Sequence, residues 1–392
     1  MDLRTRFSDR LTFTAIVLCV SLSLLVGARL RAQGQPHYRV DADWPKELPN
    51  NWIFGRVAGI AVDTQDHIWV LSSPNWVISD NDGLALTPPI SECCRPAPAV
   101  LEFDTEGTVL KGWGGPGYVP DWPTQEHGFT VDNEGNVWIG GAWAGEYNPG
   151  PEIPLGRRQV WDRQVLKFTA NGKLLLEIGH PTTEPENNQD VRILGAPAGI
   201  AVDNIAHEVY VADGFLNRRV VVYDSDTGAF KRGWGAYGIP LSDISNAKTP
   251  PYDPSGPPAR QFRGAVDNIR ISVDGLVYVA DRTADRVQVF TKQGKFVKEF
   301  FVAPETRGRG SAWTLAFSHD PEQQYLLVGD GANCVVWILK RSDGTVVGKF
   351  GHRGYNAGQF DFIQDMAMDS LGNLYVGEHH YSNRIQKFVL EK

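Results

Sequence analysis

The stretch "GIAVDNIAHEVYVADGFLNRRVVVYDSDTGAFKRGWG", residues 199–235, carries four short runs rich in Val, Ile, Tyr and Phe, separated by Asp, Asn, Ser and Gly. Runs of about five residues that alternate or stay apolar are the pattern of β-strands. A glycine-containing turn between the third and fourth runs predicts a hairpin. We name the runs strands A to D. Strand A recurs as GIAVD (59–63), GFTVD (128–132), NIRIS (268–272), TLAFS (314–318) and DMAMD (365–369). Strand B recurs as IWVLS, VWIGG, VYVAD, YLLVGD and LYVGE, and strand C as VLEFD, VLKFT, VQVFT, VVWIL and IQKFV. Strands A, B and C therefore occur six times, whereas D occurs five times, and the sixth C strand runs into the end of the sequence. The missing D strand has one obvious donor, HYRVDADWP at 37–45. Pairing an N-terminal strand beside the last blade closes a ring and removes the open sheet seam. The count predicts an all-β fold: a single six-bladed β-propeller over 37–392, closed by its N-terminal strand.

The segment before the repeats reads differently. Arg4, Arg6 and Arg10 precede the apolar run LTFTAIVLCVSLSLLVGA, and small residues follow. That layout predicts an export signal over 1–32, cut after Ala28 or Ala32, and so a periplasmic or secreted protein. A single membrane anchor is the competing reading of such a run. The whole chain has a formal net charge of −8, and its first 32 residues carry five Arg and two Asp, which leaves the remainder at −11. An exported chain this acidic argues against a nucleic-acid partner. No other segment is long and apolar enough to suggest a membrane partner after cleavage. Three cysteines follow the signal. Cys93 and Cys94 either close on each other, the preferred reading, or one of them pairs with Cys334.

Long insertions mark one face of the ring. They span Ser72–Ala99, Gly141–Arg163 and Ala236–Gly264. The first two join strands B and C, and the third joins blade three to blade four. In a propeller these loops share a face, and large insertions on one face mark the binding side. They carry Trp76, Trp122, Trp143, Tyr147, Trp161, Tyr237 and Tyr252, rings that either stack on a ligand or pack the loops together. A peptide, a small ligand or a protein partner is expected there. The residue before each strand-A pattern is expected to face the central channel: Ala58, His127, Ala198, Asp267, Trp313 and Gln364. Beside them stand Gly59, Gly128, Gly199, Asn268, Thr314 and Asp365. Convergent polar groups of this kind are either a ligand site or a wet channel.

The repeat wording resembles the NHL repeat. Within that group the chain resembles the peptidyl-α-hydroxyglycine α-amidating lyase family, through VAGIAVD, EHGFTVDNEGNVWIGG, VADGFLNRRVVVYD, VYVADRTADRVQVF and IQDMAMDSLGNLYVGE. The resemblance implies zinc held by three histidines, a nearby calcium, and an arginine and a tyrosine in catalysis. His127 falls at the first histidine position, Asp267 at the second and Gln364 at the third. Ser73, or its neighbour Ser72, falls at the arginine position, and Phe215 at the tyrosine position. His, Asp and Gln make a poor zinc trio, and neither Phe215 nor Ser73 supplies the family's proton or charge. The calcium position is matched by Asp365, with backbone carbonyls from Val57 and Phe129. Oxygen donors suit a hard cation, so the expectation is structural calcium, no zinc, and a binding module that lacks lyase activity. The alternative is a divergent metal-dependent lyase with a hard metal at Asp365 and His127 and Asp267 as acid and base, or a lactonase-like enzyme.

Two further features are read as structural. Arg218, Arg219, Arg286 and Arg384 recur just before strand C and are expected to pair with Asp213, Asp281 or Glu378. His379 and His380, adjacent on a strand, are expected to point apart unless the backbone turns there.

Overall fold

The computed structural model describes residues 35–74, 83–142 and 161–391. The expected signal over 1–32 lies outside them, as do Trp76, Trp143 and Tyr147. The chain forms six four-stranded sheets, each antiparallel. Blade one comprises Arg56–Val62, Ile68–Ser73, Val100–Phe103 and Val109–Trp113. Blades two to five repeat the same order, starting at Glu126, Pro197, Val266 and Thr314. Blade six comprises Ile363–Met368, Leu374–Glu378 and Ile385–Glu391, and its fourth strand is His37–Asp41, with Tyr38 opposite Leu390 and Val40 opposite Phe388. The N-terminal strand supplies the missing D. Strand A of each blade packs beside strand A of the next, and that of blade six packs beside that of blade one, so the ring is closed.

The Asp that ends most A strands has a local function. Asp132 Oδ1 accepts the N–H groups of Glu134 and Asn136, and Asp132 Oδ2 accepts the indole N–H of Trp138 at 2.9 Å. Asp63 does the same with Gln65, His67 and Trp69. Asp369 takes Leu371 and Asn373, and the Tyr375 hydroxyl. An aspartate that folds the next turn onto itself fixes the A–B register. The C–D turns use glycine where φ is positive. At Gly294 (φ 82°) a Cβ would also lie 2.6 Å from the Trp234 ring.

Each blade buries both faces against its neighbours, which is why the strands read as nearly continuous apolar runs. Trp69, Leu71 and Val100 of blade one pack with Phe129, Val137 and Phe168 of blade two. Tyr278, Val287 and Val289 of blade four pack with Leu315, Leu326 and Leu339 of blade five. Arg95–Pro96 of the first insertion forms a short parallel pair that the sequence pattern did not announce, with Trp52–Ile53 just before blade one. Cys93 and Cys94 are bonded to each other, and Cys334 is a free, buried thiol. No helix among the described residues is long and apolar enough to cross a membrane.

Candidate functional site

The channel residues are aimed by a repeated backbone irregularity. Strand A of five blades shifts register against strand B at its first turn of pairing, between Val57 and Gly59, His127 and Phe129, Pro197 and Gly199, Val266 and Asn268, and Ile363 and Asp365. A β-bulge re-aims a side chain and tightens local twist. The residues skipped at four of these bulges are Ala58, Ala198, Asp267 and Gln364, the expected channel positions. In blade two the skipped residue is Gly128, at φ 62°, and His127 pairs with Gly140. Together these residues line a cavity of about 10 Å³ with His127, Asn268, Arg270 and Asp365, room for about one water. Trp313 is absent from that lining.

His127 is buried, and its Nδ1 lies 2.9 Å from the Ala198 carbonyl oxygen. The Gly128 N–H also lies 2.9 Å from Nδ1, and the Gln364 amide nitrogen lies 2.9 Å from Nε2. Burial, with the charges of Arg56 and Arg282 nearby and the Ala198 bond opposing, pushes the His127 pKa down to about 3. The imidazole is therefore neutral. Phe215 stands edge-on to it, with centroids 4.9 Å apart.

Asp267 forms an ion pair with Arg282 at 3.0 Å, and the Arg282 guanidinium lies over Trp313 at 4.3 Å and Phe215 at 5.7 Å. Burial raises the Asp267 pKa, with Arg282 opposing. Asp365 is a hub. Its Oδ1 accepts from the Arg270 guanidinium at 2.8 Å, the Thr314 hydroxyl at 2.7 Å, the Asn268 amide at 3.2 Å and the Met366 N–H at 2.9 Å. Its Oδ2 accepts from the Ile60 N–H at 3.2 Å. Blades one, four, five and six thus converge on a single carboxylate. Val57 and Phe129, both buried, flank it on the A strands of blades one and two. Arg270 also lines a cavity of about 480 Å³ at the other end of the channel, with Ile60, Leu315 and Met368. It stands between the two ends.

Ser73 is buried and faces Arg56 across the strand pair. A guanidinium is thus present beside Ser73. Next to it Glu126 is fully buried, accepts the Trp122 indole at 2.7 Å, and is pushed by burial up to about 7. Above the cavity, His380 lies at φ 67° and stacks on Phe362 with centroids 4.0 Å apart. The Arg309 guanidinium reaches His380 Nε2 at 2.9 Å. The backbone does turn here, and the Nδ1 atoms of His379 and His380 face each other. His379 Nε2 is buried without a hydrogen-bond partner.

The expected structural arginines are mostly in place. Arg219 pairs with Asp213 at 2.8 Å, Arg286 with Asp281 at 2.9 Å and Arg384 with Glu378 at 2.8 Å. Arg218 instead leaves the sheet and donates to the Thr249 hydroxyl and the Ser245 carbonyl of the third insertion. The residues that pattern reading passed over are Arg270 and Arg282. Arg270 was visible as an anomaly, because the same place in strand A holds Ala61, Thr130, Ala201, Ala316 and Ala367 in the other blades.

Peptidyl-glycine alpha-amidating monooxygenase B of Xenopus laevis is 28% identical over 376 residues, which cover 91% of this chain and 36% of that protein. The chain is a distant homologue of the peptidylglycine amidating enzymes. The Rattus norvegicus enzyme is 25% identical over 379 residues, 91% of this chain and 32% of its own length. The chain thus spans about a third of the length of these relatives. It is also homologous to NHL repeat-containing protein 3 of Mus musculus, 26% identical over 314 residues, 78% of this chain and 68% of that one. No family model matches. Among solved structures, a Bacteroides thetaiotaomicron protein superposes with a TM-score of 0.52 at 14% identity, covering 86% of this chain and 70% of that one. A streptogramin B lyase does so with a TM-score of 0.50 at 12% identity, covering 91% and 98%. Both share the fold alone.

Proposed function

We propose that this propeller is an exported binding module for a peptide, a small ligand or a protein partner on its insertion-bearing face, and that it does not run amidating-lyase chemistry. The observation that supports this is the pairing of both channel carboxylates with protein guanidiniums: Asp365 with Arg270 and Asp267 with Arg282. At the zinc position, His127 Nε2 meets the Gln364 amide rather than a second imidazole. That donor set does not suit zinc, which takes imidazole and thiolate with at most one carboxylate as a rule. At the calcium position, Asp365 already accepts a guanidinium, a hydroxyl, an amide and two backbone N–H groups. The calcium expected from Asp365, Val57 and Phe129 would have to share this carboxylate with the Arg270 guanidinium, whose charge, 2.8 Å from Oδ1, opposes a second cation. In our reading, two internal arginines stand where the family places two cations.

The competing reading, an enzyme with a hard metal at Asp365 and Asp267 and His127 as acid and base, asks these groups to leave their partners. His127 is held neutral with its pKa well below the ordinary value, which makes it a weak base, and Asp267 would have to give up its ion pair with Arg282 to act on a substrate. The test is metal content and turnover of the purified protein. We expect no stoichiometric zinc and no release of amide product from a peptidyl-α-hydroxyglycine. Zinc at one per chain, together with turnover abolished by His127→Ala, would overturn the reading.

A further inference from the structure

The third insertion, Ala236 to Gly264, forms most of the wall of an open cavity of about 760 Å³. That volume is in the range of small-molecule sites. Its walls include Tyr252, Phe262, Phe301 and a run of prolines. Phe262 is fully buried, and the Tyr252 hydroxyl is tied to the Pro304 carbonyl at 2.9 Å, so the ring has a fixed place. The prolines stiffen the wall by fixing φ and removing donors. The cavity is preformed.

Its charge is opposite to that of the protein. The chain as a whole has a net charge of −8, yet Arg218, Lys248, Arg260 and Arg263 line this one cavity, against Asp253. None of the four cations has a carboxylate within ion-pair distance among the described residues, whereas Arg219, Arg282 and Arg286 nearby each have one. Arg218 and Arg263 are anchored instead by neutral groups of the insertion, the Thr249 hydroxyl and the Pro250 carbonyl. Arg263 also lies over the Tyr252 ring at 5.4 Å, and its Nε is buried without a partner. The doubled arginine of "NRRV" divides its labour: Arg219 clamps the blade, and Arg218 turns into the cavity.

We propose that this cavity binds a small organic anion with more than one negative charge and a flat apolar body. Its charged ends would meet the four cations, and its body would lie between Tyr252 and the proline wall. The inference rests on the reading above only in treating the insertion-bearing face as the binding face. Metal content and lyase turnover decide that reading, and the titration below decides this one.

The probe is a naphthalene dicarboxylate, titrated by calorimetry into the full protein, with the corresponding uncharged naphthalene dimethanol as control. Lys248 and Arg260 are exposed and hold no other element in place, so the double variant Lys248→Gln/Arg260→Gln should fold normally. The expected result is saturable binding of the dicarboxylate, weaker by about tenfold in the double variant and at high salt. Binding should be unchanged in Arg309→Gln, at the channel mouth. Failure of the dicarboxylate to bind, equal binding of the dimethanol, or indifference to the double substitution would overturn the proposal. Loss in Arg309→Gln alone would move the ligand to the channel mouth and overturn it equally.

Discussion

Buried arginine–carboxylate pairs occur in two places in this molecule, and they differ in whether they repeat. Beside strand C the pair recurs with one geometry in three blades: Arg219 with Asp213, Arg286 with Asp281 and Arg384 with Glu378. Each arginine also donates to a backbone carbonyl of the segment leading into its own blade, Arg219 to Asn188 and Ile193, Arg286 to Gln261 and Arg384 to Gln359. In the channel, the pairs Arg282–Asp267 and Arg270–Asp365 occur once each; the first lies within blade four, and the second joins blade four to blade six. A pair that repeats belongs to the architecture. A pair that breaks the repeat and lines the channel belongs to the candidate site.

The largest effect should come from breaking a clamp. Arg286 and Asp281 are both inaccessible to solvent, so Asp281→Ala strands a buried guanidinium and should cost about 3–5 kcal/mol, read as a fall in the urea midpoint. Asp365→Ala should cost less, about 2–3 kcal/mol, because Arg270 retains some exposure to solvent. The melting temperature of neither variant, nor of the unaltered protein, should respond to calcium or to a chelator. A calcium-dependent melting temperature that vanished in Asp365→Ala would turn the comparison around.

A smaller effect tests the electrostatics beside His127. Burial raises the Glu126 pKa from its ordinary value of 4.5 to about 7. The folded state therefore holds this proton more tightly than the unfolded one. The contribution to stability is complete below about pH 4.5 and is lost as pH rises through about 7. Glu126→Gln should thus gain on the unaltered protein across that window, by about 3 kcal/mol. Measuring the difference between the two proteins cancels the opposite trend from His127, whose neutral buried form costs stability as pH falls below 6.5. Parallel stability curves would show that Glu126 is ionised in the fold and in full contact with Arg56.

The fold was legible because it is written six times. The A, B and C patterns, the missing D strand and its donor at 37–45 can all be counted, and the structure pairs Tyr38 with Leu390 accordingly. The site was half legible. Repeat alignment placed Ala58, His127, Ala198, Asp267 and Gln364 at the channel, because the bulge that aims such residues recurs. Their partners were not legible. Arg282 lies 15 positions from Asp267, and Arg270 lies 95 from Asp365. The first contact closes within the A–B hairpin of blade four and the second depends on how the ring closes, and neither leaves a repeated spacing to read. The third insertion was legible as a long loop with aromatic residues. That its cations face one cavity follows from Arg218 abandoning the repeat's ion pair, which only the folded chain shows.

The central claim is that Arg270 and Arg282 take the place of the cations held by the amidating enzymes' family. Titrating zinc and calcium separately into dialysed protein by calorimetry tests it most directly. The account predicts no stoichiometric binding of either ion by the unaltered protein. One zinc bound per chain and lost in His127→Ala, or one calcium bound and lost in Asp365→Ala, would contradict it.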